Sequence, residues 1–89
     1  MSRSFVRRVL VVEDESLLRS LLAANLNSYG FEVQTSANAL TASRIVKDFD
    51  PDVLVVDIDL GEGANGLELV GALGRQDNTR GYVILSNYS

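Results

Sequence analysis

The stretch Val53-Leu54-Val55-Val56-Asp57-Ile58-Asp59 constrains the fold more than any other part of the chain. Four consecutive aliphatic residues, three of them Val, run directly into a carboxylate. So short and β-branched a run reads as a strand buried on both faces, the kind found in parallel sheets. Asp57 then stands where the strand leaves the sheet, which is where ligands bind in open α/β folds. An Asp there can equally turn the chain or cap the next helix, so the rest of the sequence has to decide.

Val9-Leu10-Val11-Val12 gives a second buried-strand signal, ended abruptly by Glu13-Asp14-Glu15. From Ser16 the pattern turns helical, with Leu18, Leu21, Leu22 and Leu26 forming a stripe that Leu17 and Ala23 widen. Gly30 closes that helix, because Gly takes the left-handed conformation cheaply. Phe31-Glu32-Val33-Gln34-Thr35 alternates apolar and polar, as a half-exposed edge strand does. Ser36 is expected to cap a second helix carrying Leu40, Ile45, Val46 and Phe49, which Asp50-Pro51 breaks. After the strand ending at Asp57 come a loop over 60–66, a short helix marked by Leu67, Leu69, Val70 and Leu73, and a turn at 76–79. A fourth strand, Tyr82-Val83-Ile84-Leu85, then ends at Ser86.

The alternation β-α-β-α-β-α-β implies a doubly wound α/β domain with a parallel sheet and right-handed crossovers. No repeat or linker divides it, so residues 1–89 are expected to be one domain. The half-polar second strand belongs at an edge, giving the order 2-1-3-4 with the first and third strands as central neighbours. Connectivity reverses between those two, which opens a crevice at their C-terminal ends.

Composition removes whole classes of chemistry. There is no Cys and no His, hence no disulfide, thiol nucleophile, thiolate metal site or imidazole base. Any histidine chemistry must come from a partner. The net charge is −4, and Arg3, Arg7 and Arg8 crowd the N-terminus, so the remainder is more acidic still. This speaks against direct nucleic-acid contact, which needs clustered Lys and Arg. Apolar runs fall well short of the ~20 residues that span a bilayer. No apolar core of a signal peptide follows the N-terminus. A cytoplasmic location away from the membrane is expected.

The crevice brings Glu13 and Asp14, at the end of one strand, beside Asp57 at the end of the next, with strands ~4.8 Å apart. Three carboxylates so close repel one another, and one has its pKa pushed up unless a cation relieves them. Ligation by oxygen alone points to Mg²⁺ or Mn²⁺, held by a few protein groups and several waters. Ser86 offers a hydroxyl to the same crevice.

Val9–Glu15 with its Leu-rich helix, Val53–Leu60 with Gly66-Leu67-Glu68-Leu69 entering a helix, and Val83–Ser86 together resemble the receiver domain of two-component response regulators. The resemblance covers nearly the whole chain, in order and spacing. It implies the flavodoxin-like fold and a domain that takes a phosphoryl group from a sensor histidine kinase or phosphotransfer protein, then switches an output domain or downstream protein. It implies Asp57 as the phosphoacceptor and also a metal ligand, Asp14 on Mg²⁺ directly and Glu13 through water. Asp59 would lend its backbone carbonyl to the metal, and Ser86 would bond a phosphoryl oxygen and couple it to movement. Such a domain is not an enzyme in the ordinary sense, although it can assist its own phosphorylation and dephosphorylation.

Departures from the family pattern are also legible. The loop from Asp57 to Gly66 is one residue longer than usual and lacks the Pro common after Leu60. The family continues past the fourth strand with a helix, a fifth strand bearing a Lys, and a last helix, none of which this sequence contains. Lys47, its one Lys, belongs to the second helix and is no substitute. From this we expect bare aliphatic surface around Val55 or Val83, an unprotected edge at Tyr82–Leu85, and poor stability or homodimer formation through that edge. Three alternatives compete. A Rossmann domain is disfavoured because Glu-Asp-Glu replaces the Gly-rich loop that cradles a pyrophosphate. A haloacid-dehalogenase-like phosphatase would use Asp57-x-Asp59 but leaves Glu13 and Asp14 unexplained. A degenerate receiver would serve only as a protein-interaction module.

Overall fold

Among the described residues, β-branched and aliphatic runs and two Leu- and Ala-bearing helices build a sheet with a helix on each face. The computed structural model describes residues 7–57 and 81–85, the last four of these as backbone. Within them lie β1 (Arg8–Val12), α1 (Ser16–Ser28), β2 (Glu32–Ser36), α2 (Ala39–Phe49), β3 (Val53–Asp57) and β4 (Gly81–Leu85). The four strands form one parallel sheet in the order β2-β1-β3-β4, as expected. The expected third helix at 67–73 and the loop at 60–66 lie outside the described residues, as do the side chains of Tyr82–Leu85.

Successive residues of a strand point to opposite faces, and the core divides accordingly. Leu10, Val12, Leu54 and Val56 join Ala42 and Val46 of α2 on one face. Val9, Val11 and Val55 lie on the other, with Leu22 and Leu26 of α1 packed against them beside Phe31, Val33 and Val53. Each fully buried Leu or Val contributes roughly 1.5–3 kcal/mol of transfer free energy. The Val83 side chain lies outside the described residues, and of the bare surface expected around Val55 or Val83 the Val55 part is absent, since Val55 is only 8% exposed. The apolar residues of α1 and the following Phe31 pack against its cluster.

The helices begin and end for identifiable reasons. Glu15 caps α1, its carboxylate accepting from the N–H groups of Leu17 (3.3 Å) and Leu18 (2.8 Å). A negative charge suits that end of the helix dipole. At the other end Gly30 has φ +93°, its N–H donates to Asn27 O and the Phe31 N–H donates to Leu26 O. These are the two bonds of a Schellman motif, and Leu26 and Phe31, at its two ends, both pack against the Val9, Val11 and Val55 cluster. The expected cap of α2 needs correction. Asn38, not Ser36, caps it by accepting from the Thr41 N–H at 2.8 Å. Ser36 completes β2 instead, and its buried hydroxyl donates to Asn38 O at 2.8 Å. Asp50 ends α2 in the left-handed region (φ 50°), just before the buried Pro51.

The leucine stripe of α1 is also narrower than its spacing suggests. Leu17, Leu18 and Leu21 are 65%, 40% and 59% exposed, while Leu22 and Leu26 are the leucines that meet the sheet. Leu40 of α2 is likewise exposed, with Ala39, Ala42 and Ile45 packing in its place.

Register is pinned at the strand entrances. The Arg8 N–H donates to Asp52 Oδ2 (2.9 Å) and the Asp52 N–H to Arg8 O (2.8 Å). The Gly81 N–H donates to Asp52 O at 2.9 Å, extending the same anchor to β4. Arg8 also reaches across to α2, donating from Nη1 to Phe49 O at 2.9 Å while lying over that ring, 5.8 Å from its centroid. With the entrances fixed, the partners Val9↔Val53 through Val12↔Val56 follow, and the strands exit at one level.

Candidate phosphoryl-acceptor site

The residue after Val12 is Glu13, and the residue after its partner Val56 is Asp57. With Asp14 they form one cluster, in which a carboxylate oxygen from each lies within 4.8 Å of the others. Glu13 is 2% and Asp57 7% exposed, whereas Asp14 faces solvent. Two walls of the site are therefore buried acids, and the third is open to an incoming ligand.

Glu13 is held at three points. Its N–H donates to Ser36 O at 2.9 Å, continuing the β1–β2 ladder by one bond. Its Oε2 accepts from the Glu15 N–H at 3.1 Å. Its carbonyl accepts from Arg19 Nη1 at 2.9 Å, one turn into α1. Burial pushes the Glu13 carboxyl up to about 7, against the lowering by the Glu15 N–H. Hydrogen bonding with Asp57 and Asp14, and the charge of Asp57, push it the same way. The cluster thus carries more negative charge than its own surroundings compensate.

That donor set fits a small hard cation. Oxygens opposite each other around Mg²⁺ lie roughly 4.2 Å apart at its 2.0–2.1 Å bond lengths, so a cluster no wider than 4.8 Å needs only slight closure or one bridging water. Nitrogen and sulfur ligands, which would suit softer metals, are not available from a sequence without Cys or His.

Sequence reasoning named Glu13, Asp14 and Asp57, and these three come together. Asp59 and Ser86 lie outside the described residues, although Leu85, the residue before Ser86, is the register partner of Asp57. Lys47 sits exposed in the last turn of α2. Arg19 and Ser36 were not among the residues expected at the site. Arg19 lies off the leucine stripe like any solvated side chain, and nothing in its spacing marks a bond to the backbone of Glu13. Ser36 is a plausible helix cap by type, and only the ladder reveals its carbonyl as a support of the site.

A parallel sheet in the order 2-1-3-4, with acids at the exits of its two central strands, defines a flavodoxin-like α/β protein with an anionic crevice. Residues 9–89 match the response regulator receiver domain. The chain belongs to that family. It is 37% identical over 79 residues to the transcriptional regulatory protein PrrA of Mycobacterium tuberculosis, covering 89% of this chain and 34% of PrrA. It is 34% identical over 80 residues to the regulatory protein AtoC of Escherichia coli, covering 90% of this chain and 17% of AtoC. The chain thus spans about a third or less of these curated relatives. Among solved structures, the response regulator TrrA of Thermotoga maritima in complex with Mg²⁺-BeF superposes with a TM-score of 0.87 at 31% identity, over 94% of this chain and 72% of that one. TrrA bound to the histidine kinase ThkA matches over the same shares with a TM-score of 0.85. Among the described residues, no helix is long and apolar enough to cross a membrane.

Proposed function

We propose that this chain is a phospho-accepting receiver: Asp57 takes a phosphoryl group from a phosphohistidine of a partner kinase or phosphotransfer protein, and the modified domain controls an output. The observation that carries this reading is the meeting of Glu13, Asp14 and Asp57 at the exits of adjacent central strands. The chain has no His of its own, so the donor imidazole belongs to the partner. TrrA, caught with a histidine kinase, offers a precedent for that pairing.

In the step itself a carboxylate oxygen of Asp57 attacks phosphorus in line, an O–P bond forms, and the N–P bond of the phosphohistidine breaks. The departing imidazole keeps the electron pair of that bond and is neutralised by a proton from solvent. Glu13 and Asp14, with the backbone carbonyl of Asp59, would hold Mg²⁺ or Mn²⁺, which offsets charge on the phosphoryl oxygens. Asp57 is nearly buried, so competing water is restricted at the attacking oxygen. The Ser86 hydroxyl, one residue beyond the register partner of Asp57, would then bond a phosphoryl oxygen and draw its loop inward, raising the population of an active conformer. The domain is an acceptor and a switch, not a turnover enzyme, and works in the cytoplasm alongside its kinase.

Incubation with a small-molecule phosphodonor and Mg²⁺, read by intact mass, tests the proposal. One added phosphoryl group in the wild type, absent from Asp57→Asn, is the expected result. Equal labelling of the two proteins would overturn the assignment.

A further inference from the structure

The backbone of Glu13 presents an unusual problem. β1 ends at Val12, so the Glu13 carbonyl has left the strand as the chain turns into α1. Residue and side chain are almost fully buried, and a buried carbonyl without a partner costs about 1–3 kcal/mol. The partner is Arg19, whose Nη1 donates to that oxygen at 2.9 Å. A guanidinium bond to a carbonyl is charge-assisted and directional, so it fixes the peptide plane between Glu13 and Asp14. That plane sets the direction in which both acidic side chains leave the strand. Arg19 is itself fastened, since its own N–H donates to the carbonyl of the cap residue Glu15 at 2.9 Å. Glu15 in turn donates from its N–H to the Glu13 carboxylate.

We infer that Arg19 is a positioning residue for the acidic pair: it locks the Glu13–Asp14 peptide so that both carboxylates stay clustered with Asp57. This rests on the cation-assisted site proposed above. Two effects of removing Arg19 have opposite signs, which makes the inference decidable. If the guanidinium mattered only as a charge, its loss would make the surroundings more negative and cation binding tighter. If it positions the pair, its loss frees the peptide and weakens binding, by roughly tenfold for a support of this kind.

Calorimetric titration of the 89-residue chain with Mn²⁺ decides between them, with a metal-free thermal melt of each protein alongside. Arg19→Met is expected to bind about tenfold more weakly. Arg19→Lys is expected to recover most of the loss, because an ammonium still donates to a carbonyl. Arg44→Met, on the exposed face of α2, should bind as the wild type does. If Arg19→Met is too unstable to titrate, Arg19→Ala, which likewise has no donor, serves in its place with the same expected direction. Unchanged or tighter binding in Arg19→Met or Arg19→Ala, even with a lower melting temperature, overturns the positioning role and leaves the site standing. Absence of Mn²⁺ binding in the wild type overturns the site, and the role of Arg19 with it.

Discussion

Val12 and Val56 are register partners across β1 and β3, and each is followed by a carboxylate, Glu13 on one strand and Asp57 on the other. This pairing, set at the opposite end of the sheet by the reciprocal bonds of Arg8 and Asp52, is what turns two distant acids into one site. Their proximity has an energetic consequence. Removing one charge should stabilise the protein when no cation is present. Asp57→Asn is expected to raise the metal-free melting temperature by several degrees, about 4–8 °C for each kcal/mol relieved in a domain of this size. The same variant should lose the melting-temperature increase that Mg²⁺ gives the wild type. Scanning calorimetry with and without Mg²⁺ checks both halves, and a wild type indifferent to Mg²⁺ would count against the site.

Glu13 makes stability depend on pH in a defined direction. Its carboxyl is raised from 4.5 to about 7 in the folded state, chiefly by burial, so the folded protein holds that proton more tightly than the unfolded chain. The associated stability is fully present below about pH 4.5 and is lost as pH rises through about 7. Metal-free protein should therefore melt at a lower temperature at pH 8 than at pH 5.5. Glu13→Gln should flatten that slope, and so should saturating Mg²⁺. A slope that persists unchanged in Glu13→Gln would assign the titration to another group.

Gly30 tests the end of α1. Its φ of +93° lies where a side chain is strained, yet a Cβ there would meet nothing within 4 Å. Gly30→Ala should cost about 1–2 kcal/mol from backbone strain alone. Denaturant unfolding would show a shifted midpoint with an unchanged slope.

The leucines of α1 separate burial from periodicity. Leu26→Ala should destabilise the fold by about 2 kcal/mol or more, because Leu26 packs on the Val9, Val11 and Val55 cluster. Leu21→Ala, at a position 59% exposed, should stay within about 0.5 kcal/mol of wild type. Equal losses in the two variants would show that the exposed face of α1 is covered in solution.

These residues also show how far the sequence could be read. The strands around Val9–Val12 and Val53–Asp57 were legible because a run of β-branched residues has few other structural solutions, and the weak alternation of β2 placed it at the edge. The meeting of Glu13, Asp14 and Asp57 followed from strand order alone. The leucine stripe misled because α1 carries more leucines than its sheet-facing side can bury, so spacing could not choose Leu22 and Leu26 over Leu18 and Leu21. Ser36 misled for a similar reason: Ser and Asn are both good caps, and only the length of β2 assigns the role to Asn38. Arg19 was invisible, because a side chain bonding to a backbone carbonyl leaves no pattern of residue types.

Reductive trapping of the acyl phosphate tests the central claim most directly. After treatment with a phosphodonor and Mg²⁺, borohydride converts a phosphorylated aspartate to homoserine, which peptide mapping locates. The account predicts that the modified residue is Asp57, and that its yield falls when Mg²⁺ is removed or Asp14→Asn is used. Modification at Asp14 or Asp59 instead, or at no aspartate at all, would contradict it.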